Sequence, residues 1–329
     1  MNTYKIILER IEAVLFDAFP KDSNSKTLVE PCYELVSRGG KRWRPLLMSL
    51  VCAALGGGDA AIHLSPLVEF CHNASLIHDD IEDNSGMRRG KPCIHKLYGI
   101  DTAINSGCFL YFLPLICIDK WNAGTDFKLR LYTLWAENIR NLHIGQSLDI
   151  SWHKNIDFIP SVEQYFSMCA LKTGVLAKFA AITGSAAAES TVKEPVLAKK
   201  IAENGKIFAK AAENLGVAFQ ILDDVKNLTA QIAGKEKGDD IVEGKKSLPV
   251  LYFLQGAQDQ ERLQLVQRCW KAASIGGTSC AEVTELIAAL ETSGALDKAQ
   301  KKGHQLLDES KKDFLKQSNI FEDFFEMCL

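Results

Sequence analysis

Three aspartates and a glutamate fall within five residues at Asp79-Asp80-Ile81-Glu82-Asp83, and two arginines follow at Arg88 and Arg89. Ahead of the acids, Leu67, Phe70, Cys71, Ala74 and Ile77 recur at spacings of three and four, the apolar stripe of a helix. On such a helix Asp79 and Asp83 lie on nearly one face, about one turn apart, with Asp80 roughly a quarter-turn away. Carboxylates packed this way repel, and their hard oxygen donors favour Mg²⁺. With guanidiniums close by, they suit an anion: a phosphate held by arginines and bridged to aspartates by metal. Taken alone, the motif reads equally well as a solvated acidic helix end beside a basic loop.

A second copy shifts that balance. Gly216-Val217-Ala218-Phe219-Gln220-Ile221-Leu222-Asp223-Asp224-Val225-Lys226-Asn227 is again an apolar helix ending in paired aspartates, with a polar residue four on from the first. Two such ends could face each other across a pocket and clamp an anion through metal ions. At Asn227 a neutral amide replaces a third carboxylate; it can coordinate through oxygen but adds no charge.

The elements that must carry these residues read as helices throughout. Helical patterns cover 3–17, 27–37, 45–55, a first aspartate helix ending near 83, 94–98, 101–121, 126–150, 161–185, 193–229, 249–255 and amphipathic segments over 260–327. The aspartate helix starts either at Ser65-Pro66, with Pro66 in the first turn, or near Ala61 with a kink at Pro66. Residues 84–92 read as a polar loop carrying the arginines, and 234–246 as a Gly- and charge-rich loop. No stretch alternates with the period of a strand. Gly174 inside a helical pattern costs about 1 kcal/mol relative to alanine, which hints at a bend. The expectation is a single all-α domain over residues 1–329.

In order along the chain stand Gly39-Gly40-Lys41-Arg42-Trp43-Arg44-Pro45, the first aspartate motif with Arg88-Arg89-Gly90, Lys172-Thr173-Gly174, the Phe219–Asp224 stretch and Gly238-Asp239-Asp240-Ile241-Val242-Glu243-Gly244-Lys245. Together they resemble the trans-isoprenyl diphosphate synthases of the polyprenyl synthetase family over roughly residues 30–255. The runs His72-Asn73-Ala74-Ser75-Leu76 and Ile104-Asn105-Ser106 are most similar to the short geranylgeranyl type of animals and fungi, which also carries Asn at the place of Asn227.

The resemblance implies a large helical bundle of the isoprenoid synthase fold around a deep central cavity. It implies Mg²⁺ at Asp79 and Asp83, with Asp80 in support, and at Asp223 and Asp224. Lys41, Arg44, His72 and Arg89 match the isopentenyl diphosphate site; Arg88, Lys172, Thr173, Gln220, Lys235 and Lys245 match the site for an allylic diphosphate (dimethylallyl, geranyl or farnesyl). Taken singly, Lys41 and Arg44 would be an ordinary basic loop, and His72 or His78 a packed core histidine. Gln146 and Asp149, three apart on an apolar helix, read either as a buried polar pair or as support for the metal site.

The implied reaction is head-to-tail condensation. Asp79, Asp80, Asp83, Lys172 and Lys245 would promote ionisation of the allylic C–O bond, and the isopentenyl double bond would attack the cation. No protein nucleophile is needed, and the sequence holds no Ser-His-Asp or Cys-His constellation. The growing tail is expected to run along the first aspartate helix past Ser75, Ala74 and Cys71. All three are small, so the chain is stopped deeper, at Phe70, Phe109 or His143. A floor beyond two turns fits a twenty-carbon product, since an isoprene unit needs about three residues of helix rise. A farnesyl or longer-chain synthase, a terpene cyclase or head-to-head synthase, and a non-catalytic partner subunit are the alternatives. The isopentenyl anchor argues against the second, and the intact acidic motifs against the third. The resemblance implies a homodimer or higher homo-oligomer.

Composition sets the remaining bounds. Apolar residues make up 47% of 329, enough for a substantial core, and a net charge of −3 points away from nucleic acid. Ten scattered cysteines, without C-x-x-C spacing, read as buried free thiols of a reducing cytoplasm; Cys52, Cys71, Cys108 and Cys169 are examples. The N-terminus lacks a signal-peptide pattern, and the run Cys108–Ile118 is too short to span a bilayer.

Overall fold

Apolar residues at helical spacing need partners on more than one side, and the chain answers with helices packed on helices. The structure, a computed structural model, describes residues 2–22, 25–229, 237–255 and 260–328. Among these, strand pairing is confined to Met87–Arg88 and Lys91–Pro92; the remainder is helix and connecting turn.

Its contacts gather into two units. The first comprises Met1–Arg140, Leu176–Glu213 and Ser310–Leu329, the second Asn141–Val175 and Asn214–Glu309. Each has its own core. In the first, Leu67 and Val68 of the aspartate helix, with Leu64 just before it, bury against Met48, Phe179 and Ala180, all with no exposed surface. In the second, Tyr165, Val217, Ile221 and Leu251 pack with Trp270 and Leu286.

The first aspartate helix spans Ser65–Glu82, with Pro66 in its first turn after a 3₁₀ turn at Ile62–Leu64. This is the first of the two sequence readings: proline sits where its missing N–H has no helical partner to lose. Where a polar loop was expected, Met87–Pro92 forms a hairpin. Its two turn residues, Arg89 (φ 52°) and Gly90 (φ 75°), both lie in the left-handed region, as a type I′ turn requires. Strands of two residues are too short for alternation to register.

Pro114 splits the expected 101–121 helix into Ile100–Phe112, a 3₁₀ turn and Ile116–Asp119. The 161–185 pattern is also interrupted: Val162–Cys169 gives way to a π-helical turn at Ala170–Gly174, and the helix resumes at Val175–Ser190. The bend hinted at by Gly174 is this turn. The second aspartate helix runs Pro195–Thr229.

By length and composition, Ile100–Asp119 (20 residues) and Val162–Ser190 (29 residues) are apolar enough to cross a membrane, which the run 108–118 alone did not suggest. The first is broken at Pro114 and the second carries Lys172 in an ion pair. Buried helices of a protein core pass the same test. Of the thiols named above, Cys52, Cys71 and Cys169 are buried, but Cys108 is exposed: its position on Ile100–Phe112 faces outward with Ile104 and Phe112.

Candidate functional site

In the first unit a cationic cluster forms around His72. The turn Gly39-Gly40 carries positive φ at both residues and is followed by Arg42 at φ 48°, just ahead of helix Trp43–Ala54. That turn presents Lys41, which is exposed, and Arg44, whose guanidinium lies 4.4 Å from the Trp43 ring centroid. Gly40 leaves room for Arg89: a Cβ there would come within 3.3 Å of Nη2. Burial first, then the positive fields of Arg44, Arg89, Arg88 and Arg42, hold the His72 imidazole well below its ordinary pKa, so it is neutral near pH 7. A neutral imidazole amid guanidiniums can donate to an anion without adding to their mutual repulsion.

Two turns on from His72, Asp79 and Asp83 are partly exposed, while Asp80 is buried at 1% exposure. Arg88 grips Asp80 Oδ1 through Nε (2.8 Å) and Nη2 (2.5 Å) and stands 3.8 Å from Asp79 Oδ2. Asp80 is thus engaged by Arg88, and Asp79 and Asp83, four residues apart at the helix end, carry oxygen donors of the kind a hard cation takes. His78 packs as expected: its ring stacks on Tyr111 at 5.7 Å, and Nδ1 lies 3.0 Å from the Ala74 carbonyl oxygen.

The proposed tail-facing residues differ in setting. Cys71 and Ala74 have no exposed surface, Ser75 is partly exposed and donates to the His72 carbonyl, and Phe109 is partly buried. Phe70 is enclosed against Phe19, ring centroids 4.9 Å apart. His143, on Thr125–Lys154, is exposed, which is a poor setting for a floor.

The second unit holds a cavity of about 40 Å³ lined by Asp149, Tyr165, Lys172, Gln220, Asp223, Asp224, Asp240 and Lys245 among others. Lys172 Nζ pairs with Asp149 Oδ2 at 2.6 Å, and Thr173 Oγ1 donates to Gln220 Oε1 at 2.7 Å. Gln220 Nε2 in turn donates to Asp224 Oδ1 (2.9 Å), and Tyr165 Oη to Asp224 Oδ2 (2.6 Å). Burial raises the Asp224 pKa and Asp240 raises it further, with the hydrogen bonds from Tyr165 and Gln220 opposing. Burial also pushes Asp149 up, but Lys172 and Lys245 outweigh it and keep that carboxyl below its usual range. Lys245 pairs with Glu243 and lies 3.6 Å from Asp240 Oδ1.

Two glycines set this arrangement. Gly145 packs on the π-helical turn so closely that a Cβ would collide with Lys172 N and lie 2.7 Å from the Leu171 carbonyl carbon. Gly216 meets the same turn, with its would-be Cβ 2.6 Å from Gly174 Cα. Lys172 and Thr173 therefore sit on a backbone wedged between two helices.

Asp79 and Asp83 in the first unit, and separately Asp223 in the second, offer oxygen donors of the kind Mg²⁺ takes, although no three His, Cys, Asp or Glu side chains converge on a metal-sized point among the described residues. Water and phosphate oxygens would have to complete such a site. Asn227 does not fit the role of metal ligand: it is buried at 2%, and its Oδ1 accepts the Asp240 N–H at 3.2 Å, pinning the Gly238–Asp240 turn. Lys235 lies outside the described residues. Sequence reasoning passed over Tyr165, Asp240 and Lys246. Asp240 lies within a motif already recognised and Lys246 directly follows it, whereas nothing local marks Tyr165. Lys246 Nζ stands 3.4 Å from the Trp270 ring centroid and donates to the Gly244 carbonyl, which braces the loop beside Lys245.

Comparisons with known proteins agree with this chemistry. Residues 25–286 match the Polyprenyl synthetase family model. A geranylgeranyl pyrophosphate synthase of Dictyostelium discoideum is 33% identical over 249 residues, covering 75% of this chain and 76% of that protein. A geranylfarnesyl diphosphate synthase of Aeropyrum pernix is 34% identical over 240 residues, 70% and 72% of the two chains. The crystal structure of a geranylgeranyl pyrophosphate synthetase from Pyrococcus horikoshii superposes with a TM-score of 0.81 at 26% identity, covering 98% of this chain and 96% of that one.

Proposed function

This chain belongs to the polyprenyl synthetase family and is a prenyltransferase of the all-α isoprenoid synthase fold, and from that premise we propose that it condenses isopentenyl diphosphate head-to-tail with allylic diphosphates to make geranylgeranyl diphosphate. The observation that carries the reading is the gathering of Arg44, Arg88 and Arg89 about a neutral His72, within two turns of Asp79 on the same helix.

In this reading Lys41, Arg44, His72 and Arg89 hold isopentenyl diphosphate without metal, through charge-assisted bonds and the imidazole N–H. Asp79 and Asp83 on the first aspartate helix, and Asp223 on the second, would hold Mg²⁺. Asp224, with both oxygens already accepting hydrogen bonds, orients its neighbours instead. Bound Mg²⁺ would neutralise charge developing on the departing diphosphate. Lys172 and Lys245 serve the same anion. Each is paired with a carboxylate here, so the entering diphosphate competes with Asp149 and Glu243 for them. The allylic C–O bond breaks with its electron pair going to pyrophosphate. The isopentenyl double bond then forms the new C–C bond, and a proton leaves to the released pyrophosphate.

Product length rests on Cys71, Ala74 and Ser75, whose small side chains support passage of a tail. The Aeropyrum relative supports a second reading, a longer product, because it is as similar to this chain as the geranylgeranyl relative. A homodimer is supported by Ile100, Ile104, Cys108 and Phe112, exposed at intervals of four along the helix Ile100–Phe112.

Incubating the pure chain with Mg²⁺, isopentenyl diphosphate and farnesyl diphosphate is expected to release pyrophosphate and yield a twenty-carbon diphosphate by mass. EDTA should abolish turnover and excess Mg²⁺ restore it. No pyrophosphate under these conditions would refute the reading, and a longer product would favour the second.

A further inference from the structure

Arg89 does not stand by itself in the first unit. Its Nη1 donates to Asn73 Oδ1 at 3.1 Å and to the Leu35 carbonyl at 3.3 Å. Asn73 is fully buried, and its Nδ2 is committed to Glu69, donating to the carbonyl oxygen at 2.7 Å and to Oε1 at 3.1 Å. With both amide hydrogens engaged there, only Oδ1 is left to meet Arg89. Glu69, 3% exposed, is held by Arg42 Nη1 at 2.8 Å; Arg42, also 3% exposed, reaches Glu12 through Nε at 2.7 Å and the Val36 carbonyl through Nη2 at 2.5 Å. Charge alternates from the partly exposed Glu12 through buried Arg42 to buried Glu69, the neutral Asn73 passes the line on to Arg89, and every link is within hydrogen-bond distance. Arg42 keeps its place although its φ of 48° is unfavourable for a residue with a side chain.

We propose that the relay Arg42–Glu69–Asn73, buried and anchored at the partly exposed Glu12, is a positioning device for Arg89, fixing one edge of its guanidinium so that Nε and Nη2 face the diphosphate of isopentenyl diphosphate. The inference rests on the assignment of Arg89 to that substrate. Both protein acceptors of Arg89 among the described residues are taken by Nη1, so a bidentate grip through the other two nitrogens costs no existing bond. Arg89 also has Gly40 against its face and a left-handed backbone in the hairpin turn, so its side chain is located from three directions. Of these, only the contact with Asn73 places a side-chain acceptor at its tip. Asn73 and Glu69 touch no substrate in this scheme; they act through Arg89.

The test is a double-mutant cycle. Apparent KM values for isopentenyl diphosphate and for farnesyl diphosphate, each at saturating co-substrate, are measured for wild type, Asn73→Ala, Arg89→Ala and the double variant. Losing one hydrogen bond to a charged group should raise the isopentenyl diphosphate KM about tenfold in Asn73→Ala. The farnesyl diphosphate KM should stay within about twofold. In the Arg89→Ala background the same change should add less than about twofold, because contacting residues do not add. If Asn73→Ala fails to fold, Glu69→Gln, which keeps the shape of the relay and removes its charge, takes its place with the same non-additivity expected. Equal effects of Asn73→Ala in both backgrounds, or both KM values rising together, would overturn the relay while leaving the substrate assignment of Arg89 intact. An Arg89→Ala enzyme with an unchanged isopentenyl diphosphate KM would instead overturn that assignment, and the relay with it.

Discussion

Replacing Gly216 by alanine tests whether the π-helical turn is held by backbone contact. The added Cβ would lie 2.6 Å from Gly174 Cα and 3.1 Å from Thr173 O. Ordinary carbon contact begins near about 3.5 Å, so the turn and the helix must separate by about 0.9 Å. Neither partner is a side chain that can rotate away, so the overpacking cost should sit in the upper part of the range of about 1–3 kcal/mol. Alanine returns about 1 kcal/mol through helix propensity, leaving a net loss of about 1–2 kcal/mol and a melting temperature lower by a few degrees. The functional effect should be larger. A shift of 0.9 Å stretches the 2.7 Å Thr173–Gln220 bond past hydrogen-bond range and moves Lys172 from Asp149. Misplacement on that scale costs about 100-fold in rate. Steady-state kcat from pyrophosphate release and a thermal melt on the same sample supply both numbers. Gly145→Ala should behave alike from the other side of the turn, while Gly124→Ala, with nothing within 4 Å of its Cβ, should be silent. A Gly216→Ala enzyme with kcat within about twofold of wild type and an unchanged melt would refute the idea that this turn is wedged, since a 1 Å error should cost far more.

Other outcomes follow from the first unit. Ser75→Phe should shorten the product, read by mass, and an unshifted product spectrum would place the tail elsewhere. Ala74→Phe should shorten it too, but with about 1–3 kcal/mol of stability lost, because Ala74 has no free surface. His72 has a folded pKa well below its unfolded value near 6.5, so the folded state binds fewer protons. Its stability contribution is full above about pH 6.5 and is lost as pH falls toward the folded pKa, by up to about 1.4 kcal/mol per pH unit. Melting temperatures between pH 7.5 and 5 should therefore fall less steeply in His72→Phe; equal slopes would show that His72 is not the group concerned.

Sequence legibility followed locality. Both aspartate motifs, Lys172-Thr173-Gly174 and the Gly238–Lys245 stretch carry their chemistry within a few neighbouring residues, and helices of strong period carried the fold. Tyr165 reaches Asp224 across 59 positions, and Arg42 reaches Glu69 across 27. No local spacing encodes such pairs. Asn227 misled for a related reason: an amide four residues after an aspartate looks like a ligand until the Asp240 N–H is seen on its oxygen. Gly174 signalled a bend, but the reason for the glycine lies 42 positions on, in Gly216, a partner that only folding supplies.

Cys71, Ala74, Ser75, His72, Asp79 and Asp83 belong to one rod or its final residue, the 18-residue helix Ser65–Glu82, about 27 Å long. In the proposed reading, head-group grips and length marks are therefore cut into the same rigid ruler, at distances fixed by helical pitch. Redrawing a mark at 71, 74 or 75 need not disturb the grips. A variant library at Ser75, the one of the three with exposed surface, should yield a graded set of product lengths at little cost in stability, whereas enlargements at 71 and 74 should also lower it.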